Sequence, residues 1–251
     1  MDITAESVAA DRAAIDCEGT ALVGLAEAVW DQPVPTTPGW DGGALLVHVG
    51  GTHRWATANL TAGERVRLSQ MGRPPEGRDA QLAWYHEGLA ALRDAAGTVD
   101  PEAPVWTFGA SGERRSAWWV RRMAQETTVH RWDAAAALAA AGGAAPLPPD
   151  PHLAAAGIDE YLLDYLPRLP PETWAGWKGT LHLHTTDAAG EWIIDLGDMT
   201  RPARREHAKA DTAVRGPASD LLLWLWNRQP PTGLDAFGDV SVLERWQEIT
   251  I

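Results

Sequence analysis

WWVRRMAQETTVHRWDAAAA, residues 118–137, carries the reading from which the rest of the chain is worked out. Its stripe Trp119, Met123, Glu126, His130, Asp133 and Ala137 recurs at three- and four-residue steps, which makes it one face of an α-helix. Glu126 and His130 are four apart, so their side chains meet on that face. The face is otherwise apolar. A carboxylate and an imidazole are costly to bury there unless they pair with each other or bind a cation.

Working outward toward the N-terminus, the same helical recurrence is found three more times. Val8, Ile15, Leu22 and Val29 mark a first helix over about residues 4–30, with Cys17 among its apolar neighbours and read as a core residue. DQPVPTTPG (31–39) ends it, because its prolines remove donors and hold their predecessors extended. A second helix is expected from about Trp40 to Asn59, with Leu45, His48, Thr52, Trp55 and Asn59 inward and Gly50 and Gly51 allowing close approach of a neighbour. Leu82, Tyr85, Leu89, Leu92 and Ala96 mark a third, between Pro75 and Gly97, and the helix with Glu126 is expected to begin near Glu113. Four such helices make a bundle.

AGGAAPLPPDP (141–151) reads as a linker. Beyond it the periodicity changes: a helix over about 152–166, then TLHLHTT and EWIIDL as two strands around the turn DAAG, a third strand at Thr212–Arg215, and a helix in SDLLLWLWNR. The expected fold is therefore α+β in two domains, a four-helix bundle over 1–140 and a small α+β domain over 152–251.

Composition narrows the function. The chain has 251 residues with 45% apolar and 22% charged, in the range of globular proteins. Its net charge of −13 disfavours phosphate backbones and anionic lipid, so neither nucleic acid nor membrane is an expected partner. The acidic start MDITAESVAADRAAID lacks the basic and then apolar pattern of a secretory signal, so the expected location is cytoplasmic. One cysteine excludes an internal disulfide framework and any multi-thiolate zinc site, leaving histidines and carboxylates to hold a metal. No phosphate-binding glycine loop, serine-hydrolase elbow or dinucleotide fingerprint is present.

With His48 brought in from the second helix, His48, Glu126 and His130 would offer two nitrogens and one carboxylate, with open positions for water or substrate. Zn²⁺ or another first-row divalent metal suits that set. The same spacing also suits an ordinary hydrogen-bonded pair. Asp133 reads as a partner orienting a ligand histidine, and Arg121, Arg122 and Arg131 flank the face. His53, five residues after His48, should point about 140° away on an ideal helix and is read as a surface or supporting group. His86 reads as surface. His182 and His184 alternate on one face of a strand, a metal-compatible spacing with no third ligand in view.

PGWDGGALLVHVGGTHRWA (38–56) and the 118–137 segment resemble the two signature segments of the mycothiol-dependent maleylpyruvate isomerase family, whose bundle is DinB-like. ADTAVRGPASDLLLWLWNRQP (210–230) and FGDVSVLERW (237–246) resemble the family's C-terminal domain. The resemblance implies metal ligands at His48, Glu126 and His130, and mycothiol, a small thiol of actinobacteria, as cosubstrate. It implies an isomerase or S-transferase in which the thiolate adds to an electrophilic small molecule. Gln125 stands where many relatives have histidine, which leaves the ligand set intact. Arg228 is the expected carboxylate clamp, because the resembling domain carries an arginine there. Trp55 and Trp119 are expected to line the cofactor pocket. A monomer or homodimer is expected. Two other readings fit the same scaffold: a thiol-independent hydrolase or lyase using metal-bound hydroxide, and a non-catalytic metal- or small-molecule-binding protein.

Overall fold

The computed structural model describes residues 3–198 and 203–249. The protein is α+β, and its chain divides into two compact units. Among the described residues, one comprises 3–107 and 113–147, the other 108–112, 148–198 and 203–249. Residues 1, 2, 250 and 251, at the outer ends of the two expected domains, lie outside the described residues.

The first unit is a bundle of α1 (Ala5–Ala28), α2 (Gly42–Thr61), α3 (Arg78–Thr98) and α4 (Ser116–Ala140). α1 starts where Thr4 accepts from the Ser7 amide at 3.2 Å and the Ser7 hydroxyl accepts from the Thr4 amide at 2.9 Å, a reciprocal cap. Asp41 caps α2 through the Ala44 amide at 2.8 Å, so α2 begins after Trp40 rather than with it. α4 starts at Ser116, where the Ser116 and Ala117 amides donate to the loop carbonyls of Ala103 and Pro101. α4 packs against α1 and α2, while α3 packs against the other sides of the same two helices. The buried side chains of α4 include Arg121, Arg122, Gln125 and Arg131 as well as its apolar stripe. Two of those arginines tie α4 to α1. Arg121 donates to Asp11 at 3.2 Å and Arg131 to Glu18 at 2.5 Å. Burial pushes the Asp11 carboxyl up, against the pull of Arg121. Gly50 has the use expected of it: a Cβ there would stand 2.5 Å from the Trp84 ring of α3.

Cys17 is a correction. It lies on the exposed side of α1, because the buried face runs through Val8, Ile15 and Leu22 and turns Cys17 away from it.

The second unit begins with α5 (Pro151–Glu160), which runs on into a π-helical turn at Tyr161–Tyr165. Strands β1 (Thr180–Thr185), β2 (Glu191–Asp195), β3 (Thr212–Gly216) and β4 (Asp235–Gly238) form one sheet in the order β2-β1-β3-β4. β1 is antiparallel to β2 and parallel to β3, and β3 is antiparallel to β4. Helix α6 (Ala218–Leu225) packs on α5, β1 and β3, and α7 (Ser241–Trp246) follows β4. The apolar centre is aromatic: the rings of Trp174, Trp177 and Trp224 all stand within 6.1 Å of Trp246. The segment 108–112 joins this unit through Ser111, whose amide donates to Asp164 Oδ1 at 2.9 Å, and Phe108, whose ring stands 5.9 Å from that of Tyr165. No helix among the described residues is long and apolar enough to cross a membrane.

Candidate metal centre

The face that α4 turns toward α2 brings Glu126 and His130 to His48. His48 Nε2 stands 3.0 Å from Glu126 Oε1, and His130 Nε2 stands 3.4 Å from the same oxygen. The three donor atoms all lie within 4.8 Å of one another. A tetrahedral Zn²⁺ with bonds of about 2.0–2.2 Å sets its ligand atoms about 3.3 Å apart, so the two closer separations bracket what such an ion needs. The donor set fits a divalent cation of the first transition row.

Two neighbours prepare the set. Asp133, fully buried, receives the His130 Nδ1 proton at 2.8 Å, which leaves Nε2 as the nitrogen facing the other donors. Arg122, one turn before Glu126, ion-pairs with Glu126 Oε2 and leaves Oε1 to the histidines. The Glu126 carboxyl is buried, which opposes its ionisation, yet Arg122, His130 and His48 hold it well below the usual carboxylate range. Burial likewise opposes charge on His130, but Glu126 and Asp133 raise it to about 9. Without a cation, the cluster is a carboxylate neutralised by the His130 proton and by the Arg122 guanidinium. A cation entering it displaces protons.

Several of these placements differ from what the sequence suggested. Arg122, expected only to flank the face, pairs with Glu126. Trp40, assigned only as the start of a helix, has its ring centroid 4.7 Å from that of His48 and 6.1 Å from that of His130. The signal available was its position immediately before the Asp41 cap, where a side chain folds back over the first turns. His53 is not a surface group, and that reading is corrected. It is fully buried, with Nε2 2.9 Å from the Thr127 hydroxyl and its ring 5.6 Å from that of Tyr85. The rotation away from His48 holds, but α2 is covered by α4 on one side and α3 on another, so turning away from one face meets the next. Burial pushes His53 down to about 3 and keeps it neutral.

Trp55 and Trp119 come together, their centroids 4.9 Å apart with edge against face. Each is seven residues from a ligand, about 10 Å along its helix. Trp119 is fully buried, with its N–H donated to the Trp106 carbonyl at 2.7 Å, and Trp55 is half-buried, donating to the Val66 carbonyl at 2.8 Å. Arg228 belongs to the second unit, just after α6, where it is half-buried and donates to the Trp226 carbonyl at 2.8 Å.

Comparison with known proteins agrees with this architecture. Residues 12–135 match the family model of the mycothiol maleylpyruvate isomerase N-terminal domain, and residues 152–245 match that of the MDMPI C-terminal domain. Two crystal structures of a mycothiol-dependent maleylpyruvate isomerase share the fold. One of them, an alanine mutant, superposes with a TM-score of 0.56 at 10% identity, covering 91% of this chain and 92% of the other. The second gives a TM-score of 0.55 at 13% identity with the same coverage. No curated protein matches in sequence.

Proposed function

We propose that this chain, which belongs to the mycothiol-dependent maleylpyruvate isomerase family, is a cytoplasmic enzyme that uses a divalent cation, Zn²⁺ by its donor chemistry, and mycothiol to act on an electrophilic small molecule. The observation that carries the reading is the convergence of His48 Nε2, Glu126 Oε1 and His130 Nε2, with Asp133 fixing the His130 ring. The bound cation would lower a thiol's pKa and present it as a thiolate, which leaves the electrophile again in an isomerisation and stays attached in a transfer.

The chain's own side chains do the rest. His48 and His130 would each give the cation a ring nitrogen and Glu126 one oxygen, and Arg122 holds the other oxygen so that the carboxylate keeps one orientation. Asp133 keeps the His130 proton on Nδ1. Trp40 lies against both imidazoles and shields them from water on that side. Trp55, backed by Trp119, is the apolar wall offered to the thiol's sugar or to an apolar substrate.

The test is metal analysis of the purified chain and of His130→Ala, followed by thiol titration of the cobalt-loaded protein. A cation lost in the variant and a thiolate charge-transfer band in the parent support the reading. A parent whose cobalt spectrum ignores thiol refutes it, and turnover without thiol points to hydrolysis instead.

A further inference from the structure

β1 carries a second histidine pair. Leu181 and Leu183 are fully buried and alternate with His182 and His184, so the two imidazoles share the opposite face of the strand. Across the antiparallel ladder, Glu191 of β2 is registered with His184. The sequence offered no third ligand because the partners come from the register and from the segment returning to β3. Glu191 supplies one, its Oε2 standing 3.1 Å from His182 Nε2 and its Oε1 3.6 Å from His184 Nδ1. His207 supplies the other, with Nδ1 hydrogen-bonded to the same Oε2. The bridge between Arg204 and Ile193 fixes where that returning segment crosses β2.

We propose that His182, Glu191 and His207, with His184 beside them as a fourth donor, form a second divalent-cation site in the second unit. The three principal donor atoms lie within 4.8 Å of one another. The separations of Glu191 from His182, 3.1 Å, and from His184, 3.6 Å, straddle the roughly 3.3 Å between ligand atoms of a tetrahedral zinc shell. Three imidazoles and one carboxylate are the donors that borderline metals such as Zn²⁺ take, whereas Ca²⁺ and Mg²⁺ require more oxygen. His182 is buried and Glu191 half-buried against the sheet, while the side chain of His207 is 81% exposed. A cation here therefore clips a surface segment to a rigid hairpin. The consequence is structural: the stretch from Ala203 to Asp211 is tethered when the ion is bound, and its attachment then depends on metal supply.

The experiment is Zn²⁺ titration of the chelator-stripped full chain by calorimetry, with His207→Ala, Glu191→Gln and His130→Ala in parallel. His207 is exposed and outside any helix or strand, so its variant folds, which circular dichroism verifies. His207→Ala is expected to lose one equivalent of Zn²⁺ relative to the parent, and Glu191→Gln to bind that equivalent about tenfold more weakly or worse. His130→Ala should retain it, which separates this site from the bundle. Limited proteolysis should show the 203–211 segment protected by Zn²⁺ in the parent and not in His207→Ala. An unchanged stoichiometry in His207→Ala overturns the site, as does Zn²⁺ binding that vanishes entirely in His130→Ala.

Discussion

The two histidine–carboxylate clusters use the same residue types, yet they are built in opposite ways. In the bundle, His48, Glu126 and His130 come from two packed helices, and two of the three have a partner behind them: Asp133 for the His130 ring and Arg122 for the second Glu126 oxygen. In the second unit, His182, Glu191 and His207 come from a strand, its neighbour and a surface segment, and the carboxylate's partners are the histidines themselves. A site supported from behind is held in shape before a ligand arrives. A site assembled from its own ligands takes its shape when they close.

That contrast can be broken by removing the support. Arg122→Met leaves the buried Glu126 carboxylate without its guanidinium and should cost about 3–5 kcal/mol in metal-free protein. Urea unfolding would show it, and saturating Zn²⁺ should recover part of the loss by replacing the missing positive charge. Equal destabilisation with and without Zn²⁺ would mean that the cation does not sit on Glu126. Asp133→Asn, which weakens the hold on His130 Nδ1, should lower cation affinity in the bundle about 10–100-fold, measured by competition with a chelating dye. An unchanged affinity would mean that the outer carboxylate contributes nothing.

A smaller effect sharpens the same comparison through His53. The unfolded chain protonates this imidazole below its ordinary value of 6.5, whereas the folded chain keeps it neutral down to about 3. Its contribution is therefore complete above pH 6.5 and lost as the pH falls toward 3, at up to about 1.4 kcal/mol per unit. His53→Gln should flatten the acid side of the stability profile. The smallest effect is expected at the other cluster: in metal-free protein, His207→Ala should change stability by less than about 0.5 kcal/mol, since it removes an exposed side chain.

What could be read in advance follows the same division. Helical spacing encodes faces, so Glu126 and His130 announced themselves four residues apart, and His48 could be added from the stripe of α2. The four helices, three of the strands and the helix rich in Leu and Trp were legible for the same reason. Spacing says which way a side chain points and not what covers it, which is why it leaves His53 between a surface and a supporting role; Cys17 reads as core from its apolar neighbours, although its spacing turns it off the buried stripe. Nor does it reveal partners fixed by register or by a returning chain. Glu191 reaches His182 and His184 through strand pairing, His207 through the course of 203–211, and Trp40 reaches the imidazoles through a helix cap. Strand β4 and helix α7 are short, and their patterns, DAFG and SVLERW, are too brief to show a period.

Residues 108–112 have a consequence for how the protein comes into being. They leave the ribosome between the third and fourth helices of the bundle, yet the groups they rest against, Asp164, Tyr165 and Arg168, lie far downstream, with Asp164 53 positions after Ser111. At about 5–20 residues per second, that stretch takes roughly 3–10 seconds to synthesise. During that interval the bundle can complete α4 around an unattached loop. The nascent chain therefore finishes its first unit before it can finish its second, and no single cut in the gene separates the two intact.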